Sequence, residues 1–244
     1  MESGIPSTAL LLAGGFGTRL RPLTATVPKC LVPIGGRPLL DHWFSILFGA
    51  GIKCVLVNTH YRASQVADFC HESIWCRQIK LVHEETLLGT CGTLRENRAF
   101  FEGQPFWFIH ADNLSRFDPI LMWRRHMESP AGCIGTMMTF YTEYPSECGI
   151  VTLRDDGVID RYFEKVANPP GALANGAVFI LNPEIFLEIE KRRDRVDFCA
   201  DIVPHLVGRL YTFHNEIYHR DIGSPESYRI ACKDFEQWTQ NASL

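Results

Sequence analysis

Three glycines fall within four positions in Leu10-Leu11-Leu12-Ala13-Gly14-Gly15-Phe16-Gly17-Thr18-Arg19-Leu20, directly after an apolar run. Backbone without side chains lets N–H groups approach an anion closely. Arg19 and Lys29 add two cationic side chains nearby in sequence, the donors and charge that phosphate oxygens need. The glycines alone would also suit a tight strand-to-loop turn. Two familiar phosphate loops are excluded. A Walker A loop ends in Gly-Lys-Ser/Thr, which is absent, and the dinucleotide fingerprint wants a glycine where Leu20 stands. Nor is there an acid to grip a ribose at the end of the second strand, where Val57-Asn58-Thr59 lies. A nicotinamide dehydrogenase is therefore disfavoured.

The elements around this loop alternate. Ala9 to Ala13 is a short apolar run stopped by glycine, as in a strand buried on both faces. Pro38 opens a helix whose Leu39, Leu40, Trp43, Phe44, Leu47 and Phe48 form one apolar face, closed by Gly49 and Gly51. Cys54 to Val57 reads as a strand, Ala63 to Phe69 as a helix, Ile79 to Val82 as a strand, Gly92 to Phe101 as a helix and Phe106 to Ile109 as a strand. Asp112 follows the last of these. Alternating β and α segments imply right-handed crossovers and a mainly parallel sheet, with ligands beyond the carboxyl ends of the strands. The second half is less regular. Cys133 to Tyr141 reads as a strand, and Ile150 to Leu153 and Val158 to Glu164 flank the hairpin turn Asp155-Asp156-Gly157. Asn168 to Gly171 is a loop, Ala177 to Leu181 a strand, and Pro183 the start of a helix. Arg209 to Phe213 and Ile217 to Arg220 are strands ending near Asp221.

The chain has 244 residues and is 46% hydrophobic, enough for a large core without disulfides or metal staples. With no visible linker, residues 1–244 are expected to form a single domain. There are 24 basic and 28 acidic residues, against the basic excess of a nucleic-acid binder. The short Trp123-Arg124-Arg125-His126 run does not change this, and Lys191-Arg192-Arg193-Asp194-Arg195 is expected to cap a helix. Nine cysteines without a CxxC read as reduced thiols, and Cys70-His71 with Cys76 lacks the second pair of a zinc site. The start Met1-Glu2-Ser3-Gly4 lacks a signal-peptide pattern, and no stretch reaches transmembrane length. A cytoplasmic protein with no membrane or nucleic-acid partner is expected.

The glycine loop continues into Arg21-Pro22-Leu23-Thr24 and Val27-Pro28-Lys29-Cys30-Leu31-Val32-Pro33-Ile34-Gly35-Gly36-Arg37-Pro38-Leu39-Leu40. This long stretch closely resembles the signature of the sugar-phosphate nucleotidyltransferases, nearest to the mannose-1-phosphate guanylyltransferases. Further similarity runs to Asp221-Ile222-Gly223-Ser224-Pro225-Glu226-Ser227-Tyr228. The resemblance implies a three-layer Rossmann-like, GT-A-like α/β fold with a mixed, mainly parallel central sheet. It implies attack by a sugar 1-phosphate on the α-phosphorus of a nucleoside triphosphate. Heptose-1-phosphate guanylyltransferases, uridylyltransferases and a nucleotide-sugar-binding regulatory subunit stay open as alternatives. Family members often form dimers or larger assemblies, so a homo-oligomer is open as well.

By the same resemblance, Ala13, Gly14, Gly15, Gly17, Thr18, Arg19 and Lys29 bind the triphosphate. Asp112 and Asp221 hold Mg²⁺, for which hard carboxylate oxygens are suited. Arg19, Lys29, Asp112 and Asp221 form the catalytic set. The family often has Gly-Asp where Ala111-Asp112 stands here; His110 beside it reads as packed rather than ligating. Glu84 lies at the base-reading position, with Gly89 and Thr90 beside the nucleotide. A carboxylate accepts from both N1–H and the 2-amino group of guanine, which favours GTP; Glu84 as a solvated helix cap is the alternative. Gly149, Glu164, Lys165 and Asn175 match sugar-binding positions. Cys148 stands where the family often has tyrosine, and Val166 where it has proline, so the sugar stays open, mannose 1-phosphate leading.

Overall fold

The computed structural model describes residues 4–101, 103–193 and 196–241. Met1 to Ser3, and Asp194 and Arg195 of the basic run, lie outside the described residues. The first half runs β1 (Thr8–Leu12), β2 (Pro33–Ile34), β3 (Arg37–Pro38), α1 (Leu39–Gly49), β4 (Cys54–Thr59), α2 (Ala63–Glu72), β5 (Ile79–His83), α3 (Gly89–Glu96), β6 (Phe106–His110) and β7 (Asn113–Arg116). The second half adds α4 (Pro119–Met127), β8 (Gly135–Tyr141), β9 (Gly149–Leu153), β10 (Ile159–Glu164), β11 (Leu173–Leu181), α5 (Ile185–Glu190), β12 (Leu210–His214), β13 (Tyr218–Asp221) and α6 (Pro225–Asn241). This is the expected α/β class with a mixed central sheet.

The described residues divide into two compact units. One comprises Leu11–Leu87, His110–Arg116 and the chain from Tyr218 onward. In it β4 pairs in parallel with β5. The apolar face of α1 is buried as its spacing requires, Leu39, Leu40, Trp43, Phe44 and Leu47 being at most 1% exposed. Trp43 Nε1 donates to Asn113 O at 3.1 Å, so this helix also pins the start of β7, directly after Asp112. A second cluster, Leu20, Val32, Ile34, Leu39, Leu114, Ile222 and Ala231, is covered by Tyr228, Phe235 and Trp238 of α6. Leu20, Leu114 and Ile222 of this cluster sit one or two residues from Arg19, Asp112 and Asp221, so apolar packing fixes the backbone beside each charged side chain.

The other unit comprises residues 4–10, Leu88–Ile109 and Phe117–Ile217. Its central strand, β11, pairs antiparallel with β6, β8 and β9, and β12 runs parallel to β8. The hairpin read around Asp155-Asp156-Gly157 is present as β9 and β10, antiparallel, with Asp156 Oδ1 accepting from Val158 N at 3.0 Å. The helix expected over Gly92 to Phe101 instead starts at Gly89 and stops at Glu96, with a separate 3-10 turn at Arg98–Phe101. Asn97 closes the last turn from both ends: its backbone N and its Nδ2 donate to the Thr93 carbonyl at 3.3 and 2.8 Å. All nine cysteines are free thiols. Among the described residues no group of three or more histidine, cysteine or acidic side chains could hold a metal, and no helix is long and apolar enough to cross a membrane.

The basic run after α5 acts on the helix end, Arg192 Nη1 donating to Glu188 O at 3.1 Å, and also on a side chain. Glu188, 8% exposed at its side chain, accepts from Lys191 Nζ at 2.9 Å, Arg192 Nη1 at 3.0 Å and Arg209 Nη1 at 2.9 Å. Hydrogen bonds from Lys191 and Arg209, then Arg192, hold its carboxyl down at about 2 despite partial burial. A folded-state value below the unfolded one stabilises above the ordinary carboxylate range and loses that effect as pH falls. Glu188→Gln is therefore expected to cost about 1–3 kcal/mol at pH 7. In urea titrations across pH, its deficit against wild type should shrink as pH falls from 4.5 toward 2. A deficit independent of pH would show that packing, not charge, accounts for the loss.

Candidate active site

β1 ends at Leu12, and the glycine loop leaves from its carboxyl end. The loop's path is set by Asn58 at the end of β4, which is 4% exposed. Asn58 Oδ1 accepts from Ala13 N at 2.7 Å and from Gly14 N at 3.3 Å, and its Nδ2 donates to Glu84 Oε1 at 3.1 Å. Glu84 follows β5 and is itself 4% exposed, which excludes the solvated helix cap. Its backbone is held as well, Glu84 N donating to Thr59 O at 2.9 Å. One amide thus joins the loop to Glu84. Asn58 belongs to no phosphate motif and stands where a ribose-gripping acid is missing, yet an amide closing the apolar Val55-Leu56-Val57 run is a visible signal.

Beyond the loop, Thr24 Oγ1 donates to Gly17 O at 2.7 Å, and the segment returns to Lys29 in a short 3-10 turn. Lys29 is buried, and its Nζ lies 2.9 Å from Asp112 Oδ2 and 3.0 Å from Asp221 Oδ1. Asp112 follows β6 and Asp221 ends β13, which pairs antiparallel with β7. Arg19 Nη2 reaches Asp221 Oδ2 at 3.5 Å, with 68% of its side chain exposed. Gly223 makes room for this: a Cβ there would come within 2.7 Å of Arg19 Nη2 and 2.8 Å of Asp221 Oδ2. The four residues assigned to catalysis from the sequence therefore meet in one place.

The electrostatics follow from the geometry. Burial by itself would lower the Lys29 ammonium, but the charges and hydrogen bonds of Asp112 and Asp221 outweigh it and push the group upward. Burial lifts Asp112, yet attraction to Lys29, with a smaller contribution from His110, holds it at about 2. Burial pushes His219 down to about 3, so the imidazole that shares a 2.7 Å hydrogen bond with Ser115 Oγ is neutral. The result is a protonated lysine between two carboxyl groups whose side chains are 48% and 52% exposed. Such a pair keeps oxygens open to a hard cation, one or two carboxylates with phosphate being the usual Mg²⁺ arrangement. The donor set fits that ion.

The remaining assigned residues belong to the other unit. Gly89 opens α3, and Thr90 Oγ1 accepts from Phe198 N at 2.6 Å, tying the helix to the 196–199 segment. Gly149 and Glu164 are cross-strand partners in the β9–β10 hairpin. Lys165 Nζ lies 3.4 Å from Glu164 Oε1, with Lys165 in the left-handed region at φ 48°. Asn175 sits on β11, and its Oδ1 accepts from Ala177 N at 2.8 Å, where β11 departs from regular register.

A sequence model for a family described as nucleotidyl transferase matches residues 8–237. Mannose-1-phosphate guanyltransferases of Schizosaccharomyces pombe and Saccharomyces cerevisiae are each 31% identical to this chain over 90% of it. The chain spans 62% of the length of those relatives. Among solved structures, HddC from Yersinia pseudotuberculosis superposes with a TM-score of 0.78 at 24% identity, over 94% of this chain and 99% of its own. A Bacillus anthracis protein described as a candidate glucose-1-phosphate thymidylyltransferase, solved with sucrose, superposes at 0.81 with 19% identity, over 93% and 95%.

The Asn58 linkage has a directional test. Asn58→Asp keeps the acceptor for the loop but sets a second carboxylate against Glu84. Adding Glu84→Gln restores a donor–acceptor pair with the polarity reversed. The double variant is expected to recover about 1–3 kcal/mol of what the single one loses, within the range of contacting pairs. Additive losses in urea unfolding would break the proposed link.

Proposed function

Because the chain belongs to the nucleotidyl transferase family, we propose that it transfers a nucleoside monophosphate from a nucleoside triphosphate to a sugar 1-phosphate. The observation that carries this is the bridge from Lys29 Nζ to Asp112 and Asp221, with Arg19 alongside, at strand ends beside a glycine loop. In the reaction a phosphate oxygen of the sugar 1-phosphate attacks the α-phosphorus, the α–β P–O bond breaks, and pyrophosphate departs. The nucleophile is already an anion, so no strong base is required. The difficulty is electrostatic: two anions must meet, and charge must be stabilised on the leaving group.

Each residue has a part suited to its position. Loop N–H groups from Gly15 to Thr18 would face the triphosphate, while those of Ala13 and Gly14, held by Asn58, fix the loop's path. Arg19, the most exposed of the cluster, offers a forked guanidinium to pyrophosphate oxygens. Lys29 supplies a fixed positive charge for the α-phosphate and the incoming phosphate. Asp112 and Asp221 would hold Mg²⁺, which supplies further charge neutralisation at the phosphates. On the acceptor side, Glu164 accepts sugar hydroxyls, Lys165 pairs with the sugar phosphate, and Gly149 and Asn175 complete the subsite. Gly89 and Thr90 belong to the nucleotide side by their place in the motif.

GTP is the favoured donor and mannose 1-phosphate the favoured acceptor. The support is a buried carboxylate at Glu84 beside the loop and the similarity to mannose-1-phosphate guanyltransferases. The reading is tested by pyrophosphate release across a panel of nucleoside triphosphates and sugar 1-phosphates with Mg²⁺. Release is expected only when all three components are present, highest with GTP. Silence across the panel would favour a nucleotide-sugar-binding regulatory subunit. Asp112→Asn, Asp221→Asn and Lys29→Met are each expected to lower kcat by roughly a hundredfold or more. Rates near wild type would refute the assignment. Glu84→Gln should erode the preference for GTP over UTP, and an unchanged ratio would remove the case for guanine.

A further inference from the structure

In the β9–β10 hairpin, Glu164 stands opposite Gly149 and Tyr162 opposite Val151. Tyr162 and Glu164 are two residues apart, so both project from one face of the strand. Gly149 has no side chain, and the tyrosine extends diagonally into the space a neighbour would fill. A Cβ at Gly149 would collide with the Tyr162 hydroxyl and lie 2.8 Å from Glu164 Oε2. The Tyr162 hydroxyl donates to Glu164 Oε2. Asn175 Nδ2 approaches the same hydroxyl at 3.5 Å and Cys199 Sγ at 3.3 Å. Burial pushes the Tyr162 phenol and the Cys199 thiol upward, so both are neutral and the tyrosine is a donor toward the carboxylate. Three residues matched to sugar binding thus converge on a fourth that no motif contains.

Resting on the sugar-side reading above, we infer that Tyr162 is a specificity-determining residue for the acceptor sugar. Its hydroxyl holds one oxygen of Glu164, so that the other, 3.4 Å from Lys165 Nζ, is the one left to meet the acceptor. Its ring occupies the space over Gly149. The subsite therefore takes a hexose 1-phosphate that presents an unsubstituted hydroxyl to Glu164, and it excludes one carrying an acetamido group there. A carboxylate with no tyrosine beside it would be free to rotate and would lose this selectivity.

Tyr162→Phe keeps the ring and deletes the hydroxyl, and Tyr162→Ala deletes both. Tyr162→Phe is expected to raise KM for the preferred hexose 1-phosphate about tenfold, the loss of one charge-assisted hydrogen bond. KM for the triphosphate should stay within about twofold, a split that a general loss of structure would not produce. Tyr162→Ala should raise relative kcat/KM for N-acetylhexosamine 1-phosphates over hexose 1-phosphates about tenfold or more by opening the space over Gly149. An unchanged sugar KM in Tyr162→Phe, or equal rises for both substrates, would overturn the inference. So would an unchanged sugar ranking in Tyr162→Ala. Calorimetric titration with hexose 1-phosphate alone separates this from the transfer reading. Weaker binding to Tyr162→Phe than to wild type supports the inference even if no pyrophosphate is released. No binding to wild type overturns it.

Discussion

An ammonium group taken out of water must be paired, and in this protein the pairing of Lys29 organises much else. Its Nζ contacts Asp112 and Asp221 at 2.9 and 3.0 Å while its side chain is only 9% exposed. Leaving such a cation buried alone would be strongly destabilising. The carboxylates must therefore come to it, and the backbones that carry them must be held in place. Leu20, Leu114 and Ile222 do this from one apolar cluster, with α6 packed over it. Tyr228 of that helix donates to Pro33 O at 2.6 Å, and Ser227 donates to Asp221 O, so the helix braces both the Lys29 segment and the Asp221 strand end.

The same economy appears at the glycine loop. A loop free of side chains gains close approach to an anion and loses the contacts that would hold it still. Asn58 replaces those contacts with hydrogen bonds from a buried position, and its donor end is spent on Glu84. The shape of the loop and the placement of Glu84 are consequently one variable. On the other unit, Tyr162 does comparable work by filling the space Gly149 leaves empty and taking one oxygen of Glu164.

How much of this is legible in the residues differs by kind. β1, α1 and the β9–β10 hairpin come directly from apolar runs, helical spacing and an Asp-Gly turn, because local pattern and burial agree there. The charged residues stand out through motif context, yet nothing local states that Lys29 lies between the two aspartates. α6 carries its apolar positions, Tyr228, Ala231, Cys232, Phe235 and Trp238, within a largely polar stretch, so its amphipathic stripe is faint. α3 ends at Asn97, whose amide caps the last turn at the Thr93 carbonyl, an effect of a single side chain that periodicity does not register. Tyr162 has no motif at all; its importance comes from a strand partner that lacks a side chain.

The separation of the Lys29 partners along the chain has a kinetic consequence. Asp112 is 83 residues from Lys29, and Asp221 is 192. Contacts that span such distances form late, since chain closure must be met before they contribute. During synthesis the loop, β4, β5 and α1 can assemble while Lys29 has one carboxylate or none. The ammonium can settle into its buried position only once β13 has docked. The charge that makes the site chemically competent is thus among its latest-formed contacts, and a nascent chain would gain much of its fold before its chemistry.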